Sequence, residues 1–219
     1  MTKVAVSWSG GKESCLACYR AISRGLEVSH LLNFVNKGSE RSMGHGLDPE
    51  LILAQSQAMG IPLVQRETSW ETYERKFKDA VLELKRRGVK GIVFGDVDLQ
   101  EHKDWVEKVC RELDVEPVEP LWGGDPMELL NEFVNAGFEA IVVRVRGDLL
   151  GEEWLGRRVN RVFLRDIAKE PIHPLGEKGE YHTFVTNGPI FKHRIRILGS
   201  DKVVKDGYHS MVIKKWRVG

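Results

Sequence analysis

The feature that most constrains this chain is a glycine-containing turn between a short apolar run and a helical pattern. It reads Ser7-Trp8-Ser9-Gly10-Gly11-Lys12-Glu13-Ser14. A strand that turns into a helix at such a segment leaves backbone N–H groups without partners, and the helix dipole adds partial positive charge there. Glycine also allows backbone conformations that other residues avoid, so an anion can approach closely. We therefore expect a phosphate group to bind in this turn.

The side chains of the turn supply further phosphate ligands. Lys12 offers a positive charge, and the hydroxyls of Ser9 and Ser14 can donate hydrogen bonds. The spacing is neither that of a Walker A loop nor G-x-G-x-x-G. It resembles the S-G-G-K-[DE]-S loop of the PP-loop ATP pyrophosphatases, which cleave ATP between the α- and β-phosphates. The resemblance implies an ATP site built from Ser7, Ser9, Gly10, Gly11, Lys12 and Ser14. The alternative is a Ser/Gly-rich turn with a solvated lysine.

Apolar patterns in residues 1–120 predict five strands that alternate with four helices. The strands are expected at residues 4–6, 27–35, 61–64, 89–95 and 115–118. Parallel neighbours need crossover connections, so this order predicts a five-stranded parallel, Rossmann-like α/β sheet with helices on both faces. Ligands of such sheets bind beyond the carboxyl ends of the strands. The loops at residues 7–14, 33–48 and 95–104 are therefore expected to form the site.

The composition changes near residues 119–124, where Glu-Pro-Leu-Trp-Gly-Gly predicts a boundary between two domains. We expect an ATP-binding domain at residues 1–120 and a smaller α+β substrate-binding domain at residues 121–219. In the second domain a helix is expected near residues 127–134, and strands at residues 138–145, 182–186, 190–198 and 208–216. Asn187-Gly188 predicts a turn between the second and third of these strands.

Two loops of the first domain carry candidate binding groups. Gly95-Asp96 ends the fourth strand, where the carboxylate of Asp96 can hold Mg²⁺ against a polyphosphate. The alternative is that Asp96, or Asp98 two residues later, only caps the next helix. The loop at residues 33–48 contributes Asn33, Met43 and His45, which are expected to lie near a bound adenosine or acyl substrate.

Cys15-x-x-Cys18 has the spacing of a redox pair. The pair lies inside a helical pattern, beyond the turn where a thiolate would gain most from the helix dipole, so we expect both cysteines to pack in the core. No second cysteine pair stands at zinc-binding spacing.

The second informative stretch is residues 176–183, Gly-Glu-Lys-Gly-Glu-Tyr-His-Thr. It concentrates carboxylates and an imidazole at the entrance of a predicted strand. One interpretation is a substrate clamp, in which Glu177 and Glu180 attract an ammonium group and His182 handles protons. The other is an ordinary polar entry to a hairpin.

Five motifs together resemble the diphthine–ammonia ligases, including their archaeal stand-alone forms, over almost the whole chain. They are residues 9–14, Gly95-Asp96, Pro120-Leu121-Trp122, residues 154–157 (Trp-Leu-Gly-Arg) and residues 176–183. The resemblance implies that ATP adenylates the diphthine carboxylate of elongation factor 2, and that ammonia then displaces AMP to give diphthamide. It also implies catalytic roles for Lys12, Asp96, Glu180 and His182, with ATP and Mg²⁺ as cofactors.

This sequence departs from that family pattern at two positions. Glu13 stands where aspartate is usual, which makes a metal role for Glu13 less secure. Lys178 stands where glycine is usual, which puts a tight local turn in doubt. No glutamine-hydrolysing domain is evident, so free ammonium is the expected nitrogen source.

Two other functions remain open at this point. The cysteines and a basic C-terminal end fit a PP-loop enzyme that transfers sulfur or nitrogen to tRNA, and the glycine turn alone fits a non-catalytic ATP- or AMP-binding protein. The net charge of +1 gives no general reason to expect a nucleic-acid partner. We expect a cytoplasmic protein without a membrane segment or signal peptide. The oligomeric state is left open, with a homodimer among the alternatives.

Overall fold

The computed structural model describes residues 1–219 and contains two β-sheets. The first sheet has the strand order β4–β2–β1–β5–β6, and all of these neighbours are parallel. A two-residue strand, β3, runs antiparallel to the end of β2. The strands are β1 Lys3–Ser7, β2 Glu27–Asn36, β3 Arg41–Ser42, β4 Leu63–Thr68, β5 Gly91–Val93 and β6 Glu116–Val118. The predicted five-stranded parallel sheet is confirmed.

Helices cover both faces of the first sheet, as predicted. They are α1 Lys12–Ser23, α2 Pro49–Met59, α3 Tyr73–Arg86 and α4 Gln100–Leu113. In β1, Val4 and Val6 pack into the core on the side of α1 and α2, whereas Ala5 packs on the side of α3 and α4. This alternation follows from the two-residue period of a strand that is buried on both faces.

The second sheet is antiparallel, with the order β8–β7–β10–β9. Its strands are β7 Glu139–Arg146, β8 Tyr181–Asn187, β9 Ile195–Lys205 and β10 Tyr208–Val218. Two helices, α5 Pro126–Asn135 and α6 Arg161–Ile167, complete this half. The predicted α+β character of the second half is therefore confirmed.

The chain turns just after Asn187, where Phe191 N donates to Gly188 O at 3.0 Å, but the turn does not form a hairpin, because β8 and β9 are not neighbours. Residues 188–194 instead form a loop that is held against the end of α2, where Ala58 O accepts hydrogen bonds from the N–H groups of Lys192 and His193. The expected strand at residues 190–198 accordingly begins only at Ile195 and continues to Lys205. The tight hairpin joins β9 to β10 through Asp206-Gly207, both with positive φ.

The two sheets meet at the glycine turn. The free edge of β8 donates a hydrogen bond from Val185 N to Gly10 O at 3.1 Å, and the hydroxyl of Thr183 accepts one from Lys12 N at 3.1 Å. A cluster of 40 buried apolar residues continues from β1 and α1 into the second sheet. The domain boundary near residue 120 stays a prediction. No helix is both long and apolar enough to cross a membrane.

Candidate functional site

The glycine turn lies between the end of β1 and the first turn of α1. Gly10 has a φ of +83°, and a Cβ added there would lie 2.7 Å from both Gln55 Oε1 and Ile52 Cδ1. Glycine is therefore required for its backbone conformation and for close packing. Lys12, Glu13 and Ser14 begin α1, so their N–H groups have no acceptor within the helix. Because Lys12 N already donates to Thr183, fewer amides are free for an anion than the sequence suggests.

Lys12 is not the solvated lysine that a surface turn would carry. Its side chain is 2% exposed, and its Nζ donates to Leu175 O at 2.7 Å. It also lies 2.6 Å from Glu13 Oε1 and 4.2 Å from the centre of the Tyr181 ring. Glu13 Oε1 has this ion pair but receives no well-directed hydrogen bond. Lys12 thus joins α1 to the loop before β8.

Next to the turn is a polar cavity of about 220 Å³. Seven predicted site residues line it: Ser7, Ser9, Ser14, His45, Gly95, Asp96 and His182. The other lining residues are Glu13, His102, Leu175, Gly176, Glu177 and Tyr181. The cavity therefore brings together the two most informative stretches of the sequence, residues 7–14 and 176–183. A larger depression of about 550 Å³ lies on the second sheet and includes none of the predicted site residues.

Carboxylates dominate one side of the cavity. A Cβ on Gly95 would lie 3.0 Å from the carbonyl carbon of Glu13 and 3.1 Å from Ser14 N, so a glycine lets the end of β5 approach the start of α1. Asp96 follows directly and lines the cavity. Burial, followed by the charge of Glu13, raises the pKa of Glu177 to about 8, and Asp96 adds to this effect while Lys12 opposes it. A cation bound beside Glu177 would lower this pKa, because it stabilises the charged form of the carboxyl group.

Neither aspartate caps α4, contrary to the alternative considered from the sequence. Leu99 occupies the N-cap position, and no side chain caps the helix there. Asp96 Oδ1 instead lies 2.8 Å from His102 Nδ1, and this hydrogen bond raises the pKa of His102. Asp98 Oδ2 lies 3.1 Å from His173 Nε2. Asp98 thereby connects the loop after β5 to the segment that precedes β8.

Two imidazoles form another wall of the cavity. The rings of His45 and His182 are 4.6 Å apart, and His45 lies over the turn, because a Cβ on Gly11 would be 2.5 Å from its Nε2. Both residues are half-buried at the cavity wall. Burial lowers the pKa of His45 to about 3, and burial together with the neighbouring His45 lowers that of His182 well below its usual value. Both rings are therefore neutral, and His182 is a weak base here.

Glu180 lies outside the cavity and forms hydrogen bonds within the loop before β8. Its side chain is buried, with Oε1 accepting from His173 N at 3.1 Å and Oε2 accepting from Lys178 N at 2.8 Å. Both carboxylate oxygens are thus engaged by backbone N–H groups, and the catalytic role that the family motif implies stays a prediction. Lys178 is exposed and has no positive φ, so its replacement of a glycine does not disturb the turn.

Asn33 and Met43 do not line the cavity. Asn33 is buried, its Nδ2 donates to Trp8 O at 2.8 Å, and its Oδ1 accepts from Gln65 Nε2 at 3.2 Å. Its side chain therefore supports the turn from behind. Met43 packs against the core cluster between the first sheet and helices α3 and α4. The sequence could not separate these roles, because a polar or flexible residue after a strand suits either one.

Cys15 and Cys18 are buried, unpaired thiols in α1, as expected. Burial raises the pKa of Cys18 to about 12 and that of Cys15 well above its usual value. Neither thiol is therefore a reactive thiolate near neutral pH.

Sequence reasoning missed Gln55 and Thr183 as supports of the turn. Gln55 has no exposed surface, although the sequence gives it only as one position of the apolar face of α2. A polar residue within an apolar stripe was the available signal, because a buried amide needs hydrogen-bond partners. Thr183 lies within the motif at residues 176–183, but its partner is 171 residues away.

Comparison with known proteins covers almost the whole chain. Residues 2–117 match the family model for the diphthamide synthase N-terminal domain, and residues 125–217 match that for the C-terminal domain. The chain is 28% identical to the diphthine–ammonia ligase of Rattus norvegicus over 231 residues, which covers 92% of this chain and 85% of the rat protein. The corresponding Homo sapiens protein is 27% identical, with the same coverage.

A relative from Schizosaccharomyces pombe, also named diphthine–ammonia ligase, is 29% identical over 90% of this chain, which spans 36% of that longer protein. Among solved structures, this chain is similar to a predicted subunit of tRNA methyltransferase from Methanocaldococcus jannaschii. The alignment covers 86% of this chain and 98% of that protein. Its TM-score is 0.47 and its identity is 18%, a similarity too low to bear on function.

Proposed function

This chain belongs to the diphthamide synthase family of ATP-dependent ligases, and we propose that it converts the diphthine residue of elongation factor 2 to diphthamide. In the proposed reaction the diphthine carboxylate attacks the α-phosphorus of ATP, and pyrophosphate leaves. Ammonia then attacks the acyl carbon, the bond to AMP breaks, and the amide forms. The observation that carries the proposal is the cavity shared by residues 7–14 and the loop before β8.

The glycine turn is the proposed binding site for the ATP phosphates. Glu13 and Ser14, whose N–H groups have no acceptor within the helix, line the cavity at the positive end of the α1 dipole. The hydroxyl-bearing residues Ser7 and Ser9 line it as well. Adenylation needs positioning and charge neutralisation, and it requires no protein nucleophile. The buried thiols of Cys15 and Cys18 are consistent with that requirement.

The residues present fit a magnesium ion that is bound together with nucleotide. The structure contains no cluster of three or more His, Cys, Asp or Glu side chains that could hold a metal by themselves. Mg²⁺ commonly uses one or two carboxylates, with substrate phosphates and water completing its coordination. Asp96 would hold the ion, and the nearby carboxyl group of Glu177 lines the same cavity. The ion would neutralise the leaving pyrophosphate.

The same carboxylates suit the second substrate, ammonium. A cation that enters the cavity is attracted by Asp96 and favours the ionised form of Glu177, whereas the neutral rings of His45 and His182 do not repel it. Glu180 orders the loop that carries Glu177, and Lys12 anchors the same loop through Leu175 O. The proposed roles of Glu180 and Lys12 are therefore to position the loop and to balance charge beside the reacting groups.

No reactive thiol supports the sulfur-transfer alternative. Sulfur transfer to tRNA would need a reactive cysteine, and both thiols of the C-x-x-C pair are buried with raised pKa values.

The basic end of the chain is the proposed docking surface for elongation factor 2, since residues 188–219 contain eight Lys or Arg but only two Asp.

The test is product analysis with diphthine-bearing elongation factor 2, ATP, magnesium and ammonium. We expect equal amounts of AMP, pyrophosphate and amide. Asp96→Asn should lower the rate about 100-fold or more and weaken the magnesium dependence, because it removes the proposed metal ligand. Asp104→Asn is the matched control, since Asp104 bonds only Gln100 on the exposed face of α4. Release of ADP instead of AMP, or no amide from intact substrate, would contradict the proposal.

A further inference from the structure

The side chain of Gln55 on α2 is the most completely engaged polar group beside the turn. It has no exposed surface. Its Oε1 accepts a hydrogen bond from Trp8 Nε1 at 2.9 Å. Its Nε2 donates to Gly10 O at 2.9 Å and to Val185 O at 2.7 Å. A single amide therefore joins α2, the glycine turn and the free edge of β8.

These bonds fix the orientation of one particular peptide group. Gly10 O accepts from both Gln55 Nε2 and Val185 N, so the carbonyl is held from two sides. The next N–H group, that of Gly11, belongs to the same planar peptide and must point away from that carbonyl. The Gly11 N–H donates to Ser9 Oγ at 3.3 Å, and Ser9 lines the cavity. Gln55 and β8 thus set the direction of the amide that holds the Ser9 hydroxyl at the proposed phosphate site.

We propose that Gln55 is a positioning residue that sets the affinity of the site for ATP by holding the Gly10–Gly11 peptide against the second sheet. The inference rests on the proposed binding of ATP phosphates at this turn. It extends that function, because it makes the edge of β8 a structural part of the nucleotide site. Gln55 itself lies behind the turn and lines no part of the cavity.

The chemistry of the position favours glutamine. One side-chain end must accept a hydrogen bond from an indole and donate two to carbonyls, and only a primary amide does both. Glutamate would place a second acceptor against Gly10 O and Val185 O and would bury a charge. Methionine has a similar length but offers neither strong donor nor strong acceptor.

The experiment measures ATP binding by isothermal titration calorimetry with ATP and magnesium, well below the unfolding temperature of each variant. Gln55→Met and Gln55→Glu should raise the Kd for ATP by roughly tenfold or more. In steady state the KM for ATP should rise, while the KM for ammonium stays unchanged. Gln55→Asn, which keeps the amide but is one methylene shorter, provides a second variant should either of the others fail to fold.

Ser56→Ala is the matched control on the same helix. Ser56 is buried, and its hydroxyl donates to Ile61 O at 2.6 Å, far from the turn. It should lower the melting temperature without a change in the Kd for ATP. If wild type binds ATP and the Gln55 variants bind it within twofold, the inference is overturned and the proposed function stands. If wild type itself does not bind ATP, both are overturned.

Discussion

Replacing Lys12 with methionine should lower the free energy of unfolding by more than the loss of a surface lysine would. Lys12 Nζ is buried against Glu13 Oε1, Leu175 O and the face of Tyr181. Methionine fills a similar volume but leaves the Glu13 carboxylate and the Leu175 carbonyl without their partner. Breaking a buried ion pair by removing one member typically costs about 3–5 kcal/mol. Because 14% of the Glu13 side chain stays exposed to water, we expect a loss at the lower end of this range, about 3 kcal/mol.

Urea unfolding followed by tryptophan fluorescence measures this loss as a difference in the free energy of unfolding. Lys12→Met/Glu13→Gln should recover part of it, because the uncompensated carboxylate is then gone, and the cycle of the two single variants gives the coupling energy. Lys103→Met is the matched control: Lys103 also lies over an aromatic ring, Trp122, and pairs with Glu107, but near the surface. Its loss should cost less than about 1 kcal/mol.

The reasoning is refuted if Lys12→Met lowers the free energy of unfolding no more than Lys103→Met does. That outcome would mean that Lys12 leaves its buried contacts in solution and behaves as the solvated lysine considered from the sequence. A restored stability in the double variant, by contrast, would identify the Glu13 carboxylate as the source of the cost.

Three further outcomes follow from the site. Glu180→Gln should lower stability by about 1–3 kcal/mol, because the amide NH2 group cannot accept a hydrogen bond and either His173 N or Lys178 N loses its acceptor. A normal melting temperature together with lost amide formation would instead support a catalytic role for Glu180. The folded protein binds a proton on Glu177 more tightly than the unfolded chain, since its pKa is about 8 against an ordinary 4.5, so without nucleotide or metal stability should fall as the pH rises from 4.5 to 8. Glu177→Gln should flatten that slope in melting temperatures taken at pH 5, 6.5 and 8, and parallel curves would contradict the assignment. Cys15→Ala/Cys18→Ala should retain amide formation, and neither cysteine should react with iodoacetamide in the native wild type at pH 8; loss of activity with an intact fold would favour sulfur chemistry.

Local patterns were sufficient for the parallel sheet and for the position of Asp96. The two-residue and 3.6-residue periods distinguish strands from helices, and the carboxyl ends of β1 and β5 must meet because these strands are neighbours. That rule brings the glycine turn and Asp96 to one cavity without any knowledge of the second half.

Contacts between distant segments could not be predicted from the sequence. The burial of Lys12, the use of Asn33 as a support and the pairing of β10 with β7 each depend on groups far apart in the chain. Asn187-Gly188 has turn chemistry, but β8 pairs with β7, and the hairpin forms at Asp206-Gly207 between β9 and β10. A turn signal predicts a change of direction, and it does not identify the partner strand.

The bond between Lys12 and Thr183 has a consequence for biosynthesis. Ribosomes release the glycine turn first, and β8 follows more than 170 residues later. A nascent or truncated polypeptide therefore carries the motif without the strand that shapes it. Such fragments lack the Thr183 hydroxyl that accepts from Lys12 N, so we expect them to bind ATP more weakly than the folded protein.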